Sequence, residues 1–108
     1  MPKEKLPLPV KAGLVIVNVA EILYVKSDDM WVHVQMQDGQ CHRVPLTIKK
    51  LSAESLRHFV RSHRSYLVNT LHMKRYNKVE CTLELTGGVS VPVSRRKRRE
   101  VVGSIMNT

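Results

Sequence analysis

Hydrophobic positions in this chain fall into short runs, and most of them carry the two-residue period of β-strands. Leu14-Val15-Ile16-Val17-Asn18-Val19 and Glu21-Ile22-Leu23-Tyr24-Val25 place branched and aromatic residues at consecutive positions, which predicts two core strands covered on both faces. From Met30 to Met36 the pattern alternates. Met30, Val32, Val34 and Met36 form one face, and Trp31, His33 and Gln35 form the other. Asp38-Gly39 then supplies the residue types of a tight hairpin with positive φ angles, returning through Gln40 to Val44. Val79 to Thr86 alternates again with Cys81, Leu83 and Leu85 inward, and Gly87-Gly88 predicts a second hairpin into Val89, Val91 and Val93.

Two segments carry helical spacing. Thr47 is placed to cap a short helix from Ile48 to about Ser55, after which the chain continues to Leu56 and Phe59. Ser94 is placed to cap a C-terminal helix whose apolar stripe is Val101, Val102, Ile105 and Met106. Between them, Arg57 to Asn69 shows no clean period and reads as an irregular connection that enters a strand near Tyr66. Residues 1–12 hold three prolines, which remove backbone donors and favour extended chain, so they read as a linker or edge segment ahead of a domain over 13–108. The expected fold class is mainly β, in small antiparallel sheets with a short middle helix and a C-terminal helix.

Composition narrows the function. With 108 residues the chain can build one hydrophobic core. A formal net charge of +9 beside 43% hydrophobic residues excludes a disordered basic tail and points to a polyanionic partner, nucleic acid or an anionic membrane surface. The longest apolar run, Leu14 to Val17, is far below the roughly 18 residues of a membrane span. The first 30 residues lack a secretory pattern, and Cys41 and Cys81 lack CxxC spacing, so secretion is not expected. The aromatic residues are Tyr24, Trp31, Phe59, Tyr66 and Tyr76, too few to favour reading by base stacking.

The charge is concentrated in Arg95-Arg96-Lys97-Arg98-Arg99, which holds five of the 18 basic residues. Such a run is either a solvated helix face or a phosphate-binding surface. Its place where a strand ends at Val93-Ser94 favours the second reading, because guanidinium groups at such a corner project outward and their forks match phosphate oxygens and the guanine edge. In the second basic stretch, His63 and Asn69 read as residues that hold a loop by hydrogen bonds, whereas Arg64 has no acid close in sequence and is the better candidate for an outside contact. Enzymatic constellations are absent from the sequence pattern. Cys41 and His42 are strand neighbours pointing to opposite faces, and Cys81 reads as an inert buried thiol. No HxxxH or HExxH spacing and no glycine-rich phosphate loop is present, so no enzyme activity, metal or cofactor is expected. Nucleic acid is the leading partner class on these grounds, and a small basic RNA-binding β protein stays open as a reading.

The segment Phe59-Val60-Arg61-Ser62-His63-Arg64-Ser65-Tyr66-Leu67-Val68-Asn69, followed by His72-Met73 and by Val91-Pro92-Val93-Ser94-Arg95, resembles the signature of LytTR-type DNA-binding domains, and Glu21 to Ser27 resembles that family's opening strand. The resemblance runs from about residue 14 to 105. It implies a LytTR-like β-β-β sandwich that reads double-stranded DNA through loops. It also implies a cytoplasmic, nucleoid-associated bacterial transcriptional regulator, the output half of a response regulator, bound to paired direct repeats and controlled by an upstream receiver or sensor domain or a partner protein. Carried over by position, base contacts fall to the loop Ser27 to Trp31, with Trp31 itself the side chain singled out, to Arg64 and to Arg95. Phosphate contacts fall by neighbourhood to Lys26, Arg61, Arg96, Lys97, Arg98 and Arg99, and His63, Tyr66 and Asn69 are the structural motif residues. The acidic pair Asp28-Asp29 departs from a phosphate-binding pattern, unless it accepts from a cytosine amino group or pairs with Lys26.

Overall fold

A computed structural model describes residues 4–51 and 56–106, and ten strands in three antiparallel sheets account for most of them. In chain order the elements are β1 (Lys5–Val10), β2 (Gly13–Asn18), β3 (Ile22–Asp28), β4 (Trp31–Met36), β5 (Cys41–Val44), α1 (Ile48–Leu51), β6 (Phe59–His63), β7 (Tyr66–Asn69), β8 (Met73–Asn77), β9 (Thr82–Leu85), β10 (Val89–Pro92) and α2 (Arg98–Met106), with single 3-10 turns at Val19–Glu21, Thr70–His72 and Arg95–Lys97. The central sheet has the order β5-β4-β3-β7-β6, flanked by the β1-β2 ribbon and by a three-stranded sheet of order β10-β9-β8.

Each face of the central sheet carries its own core. One joins Val25, Val32, Val34, Met36, Val44 and Leu67 to Leu8 and Val17 of the ribbon and to Ile48, Leu51 and Leu56. The other joins Leu23, Val60 and Val68 to Leu83, Leu85, Val91 and Val93, with Val101 of α2 closing it. A bulge between Ile22 and Tyr24 lets β3 serve both. Ile22 and Val25 enter the first core while the intervening Leu23 and Tyr24 join the second. This double burial explains why β3 is apolar at consecutive positions, as its sequence predicts.

The hairpin after β4 uses glycine where φ is positive: Gly39 lies at +96°, its N–H donates to the Met36 carbonyl, and Asp38 has negative φ but accepts the Gln40 N–H on its carboxylate. Gly87 and Gly88, at +85° and +79°, turn β9 into β10. Thr47 caps α1 as expected, its Oγ1 accepting the Lys50 N–H at 3.2 Å. The helix is described only as far as Leu51, and its expected continuation over 52–55 lies outside the described residues.

Several expectations need correction. The run Leu14 to Val19 is not covered on both faces: Leu14 and Ile16 are 69% and 65% exposed, because the ribbon is an outer layer and only one face of it packs. Met30 sits in the β3-β4 turn and is exposed. Cys81 is not an inward strand residue but occupies a turn with φ +55°, half-buried, so β9 starts at Thr82. Met106 is also exposed and leaves the stripe of α2 to Val101, Val102 and Ile105. The largest difference is Phe59 to His63, which is a strand paired with β7, with a bulge between Arg61 and His63, rather than an irregular connection. Its inward positions are Val60 and Ser62, and the serine hides the two-residue period from a hydrophobic count.

Candidate nucleic-acid interface

Three backbone corners meet at one rim of the central sheet. The β3-β4 corner is a tight turn through Asp29 and Met30, with Asp29 in the left-handed region at φ +58°, a conformation that aspartate tolerates. The β6-β7 corner is Arg64-Ser65, and the Ser27 N–H donates to the Ser65 carbonyl at 2.7 Å, fixing the two turns side by side. The third corner follows β10: the Ser94 N–H donates to the Ser62 carbonyl at 2.8 Å, while the fully buried Ser62 hydroxyl donates to the Pro92 carbonyl at 2.9 Å. These two bonds lock the start of the basic run to the strand that ends at the Arg64 corner. Ser62→Ala would leave the partly buried Pro92 carbonyl without this partner and is expected to lower unfolding stability by about 1–2 kcal/mol, read from urea melts.

The motif residues brace this rim. Nδ1 of His63 accepts the Ser65 N–H at 3.1 Å, and its ring meets Tyr66 edge-on with centroids 5.8 Å apart. Arg61 is turned onto the same corner. Its Nε donates to the His63 carbonyl and its Nη2 to the Arg64 carbonyl at 2.6 Å, so part of its hydrogen-bonding capacity stiffens the turn. Tyr66 packs against Tyr24 and carries the Lys26 ammonium 5.7 Å above its ring. Deeper, Asn69 donates to the Val19 and Ile22 carbonyls and accepts the Leu71 N–H. His72, also buried, donates from Nε2 to the Ala20 carbonyl at 2.7 Å.

Charges on the rim divide sharply. Arg64, Arg95, Arg96, Arg98 and Arg99 are exposed. The ion pairs among the described residues involve none of them: they join Asp28 to His33, Glu4 to Arg57, Glu84 to Arg75 and Glu100 to Lys97. Lys97, at 3.5 Å from Glu100, is therefore the one member of the run in an ion pair among the described residues. The acidic pair of the first turn is also accounted for in part. Asp28 reaches His33 Nε2 at 3.3 Å, while Lys26 lies over Tyr66. Trp31 is covered on one ring face by Arg43, whose guanidinium carbon is 3.9 Å from the ring centroid. No motif in the sequence marks Arg43, since only the strand register brings it over the indole.

Desolvation by the surrounding sheet raises the thiol of Cys41 above its ordinary value, although the residue is exposed at the surface. Burial, then the neighbouring Tyr66 and Cys41, likewise raise the Tyr24 hydroxyl. Among the described residues, no group of three or more His, Cys, Asp or Glu side chains is arranged to hold a metal, and no helix is long and apolar enough to cross a membrane.

The molecule is thus a mainly β domain with exposed arginines gathered on one rim, and comparison with known proteins gives its family. Residues 12–106 match the LytTr DNA-binding domain, and the chain belongs to that family. It is 30% identical to the transcriptional regulatory protein BtsR of Escherichia coli over 94 residues, covering 84% of this chain and 38% of BtsR. It is 33% identical to the sensory transduction protein LytT of Bacillus subtilis over 107 residues, covering 92% of this chain and 42% of LytT. The chain thus spans about two fifths of the length of these relatives. A LytTr DNA-binding domain from Bacillus cereus has the same fold, with a TM-score of 0.74 at 23% identity, covering 96% of this chain and 98% of that domain.

Proposed function

We propose that this chain is a sequence-specific double-stranded DNA-binding unit of a bacterial transcriptional regulator, with no catalytic role. The observation that carries the reading is the joint placement of Arg64 and Arg95, both exposed, free of acidic partners among the described residues and tied to one rim through Ser62 and Ser94. In this reading Arg64 and Arg95 present their forks to base edges in the major groove, and Trp31 adds a contact from its uncovered edge. Arg96, Lys97, Arg98 and Arg99 hold phosphates on one side of the rim and Lys26 on the other, with the remaining donors of Arg61 between them. His63, Tyr66 and Asn69 keep the corners in place. Residues 13–108 form the binding unit, with 1–12 as its edge segment.

Relatives named as a transcriptional regulatory protein and a sensory transduction protein support a regulatory role. The wider proposal is an output domain that works in the cytoplasm on the nucleoid, binds paired direct repeats and is controlled by a receiver or sensor domain or a partner protein. Reading RNA by stacking is less well supported. Arg43 occupies one face of the Trp31 ring, and Tyr66 is engaged by Lys26 and His63, which leaves less ring surface for base stacking.

Selection of bound duplexes from a random pool, followed by fluorescence anisotropy at fixed salt, tests the function. The chain should bind the selected duplex on the order of a thousandfold more tightly than a scrambled one. Equal affinity for both, or preference for an RNA duplex, would reject the proposal. Arg98→Ala should weaken selected and scrambled duplexes alike and make the dependence of log affinity on log salt shallower by about 1. Lys97→Ala should do less, because Glu100 already neutralises part of its charge.

A further inference from the structure

The outward face of the central sheet carries a basic row that no motif in the sequence marks. Register places Tyr66 opposite Lys26, Lys26 opposite His33, and His33 opposite Arg43, so the row crosses β7, β3, β4 and β5 in order. Directly paired residues on neighbouring strands share a face. With strands roughly 4.8 Å apart, the row reaches about 14 Å from the β6-β7 corner toward the β5 edge. The three-stranded sheet covers the β6-β7 side of this face, where Val60 and Val68 are buried, whereas Lys26 and Arg43 remain exposed.

Arg43 ends the row in a prepared state. Its guanidinium lies on the Trp31 ring at 3.9 Å, and the ion pairs among the described residues leave it without a carboxylate. The ring contact restrains the guanidinium of an otherwise exposed residue, so less side-chain freedom is lost when it meets an anion. The neighbouring acids are Asp28, drawn to His33, and Asp29 in the turn. We infer that Arg43, held on Trp31, is a DNA phosphate contact, and that the row Lys26-His33-Arg43 carries the backbone of the duplex beyond the three corners toward the β5 edge. This rests on the DNA-binding reading above. It gives Trp31 a second task, as the platform that positions Arg43.

The test uses the whole chain and a selected duplex beside its scrambled counterpart. Arg43→Ala should weaken both complexes by the same factor, about 3- to 10-fold near physiological salt, and make the salt dependence shallower by about 1. Arg43→Lys should recover the salt dependence but only part of the affinity. The effect of Arg43→Ala should shrink in a Trp31→Ala background, or in Trp31→Phe should Trp31→Ala fail to fold, because the platform is then already lost or reduced. Trp31 is the single tryptophan, so its emission reports this site directly and should change as duplex is added to the wild-type chain. Unchanged affinity and salt dependence in Arg43→Ala, while Arg64→Ala loses discrimination, would overturn this inference and leave the DNA-binding reading intact. Failure of the wild-type chain to bind any duplex would overturn both.

Discussion

Combining Arg64→Ala with Arg95→Ala is expected to erase most discrimination between a selected duplex and a scrambled one while leaving the fold intact. A bidentate arginine contact to a base contributes about 1–3 kcal/mol of discrimination, so the pair should cost about 2–6 kcal/mol on the selected duplex. At about 1.4 kcal/mol per factor of ten, the middle of that range is roughly a thousandfold. Binding to the scrambled duplex should fall far less, since only two charges are removed from a strongly basic surface. Both side chains are exposed and make none of the ion pairs among the described residues, so thermal melts should stay near wild type. Their corners are tied together through Ser62 and Ser94, and the single variants should therefore be measured too. Neighbouring contacts to one ligand are seldom additive. Equal losses on both duplexes would assign these arginines to the phosphate backbone and remove them from base reading.

Asn69→Ala should destabilise the fold more than Ser62→Ala, because more buried polar groups lose their partners at once. The side chain is 4% exposed and makes three hydrogen bonds: Nδ2 donates to the Ile22 carbonyl at 2.8 Å and to the Val19 carbonyl at 3.3 Å, and Oδ1 accepts the Leu71 N–H at 3.0 Å. Alanine would take their Asn69 partner from the Ile22 carbonyl and the Leu71 N–H, while the Val19 carbonyl keeps the Ile22 N–H, near the point where β3 and β7 meet the turn at Val19–Glu21. Each buried group left unsatisfied costs about 1–3 kcal/mol, and with partial relaxation the total should be about 3 kcal/mol. For a domain of this size that corresponds to a melting temperature lower by roughly 12–20 °C. Asn69→Asp separates the contributions. It keeps the acceptor for Leu71 but sets a carboxylate against two carbonyl oxygens, so it should be at least as destabilising as alanine. A loss below about 1 kcal/mol for Asn69→Ala in urea unfolding would show that the tie between the strand and the turn is not structural.

Elements with a regular apolar period were legible in the sequence. The β4-β5 and β9-β10 hairpins, the cap at Thr47 and the burial of Val101 follow from alternation, glycine placement and helical spacing. Elements whose inward positions are polar were not. β6 has Ser62 as one of its two buried positions, and the two-residue corner Arg64-Ser65 contains no glycine or asparagine to announce it. Leu14 and Ile16 misled in the opposite direction, because an apolar outer face of a ribbon looks like core until the missing layer is seen. The candidate site was half legible. The basic run and Arg64 stand out by charge and motif, but Arg43 comes to Trp31 only through the pairing of β4 with β5, which composition does not encode.

The sequence by itself determined the chemistry of the chain: a positive surface, a mainly β architecture with one C-terminal helix, and the family motif spread from residue 59 to 95. These follow from local spacing and composition, which act over a few residues at a time. The tertiary structure alone decided which cations share a rim, which are held by neighbours, as Lys97 is by Glu100 and Arg61 by its own turn, and which remain open. Those outcomes depend on hydrogen bonds between residues far apart in the chain, such as Ser94 to Ser62, and on strand register, where a slip of one residue would turn Lys26, His33 and Arg43 to the opposite face.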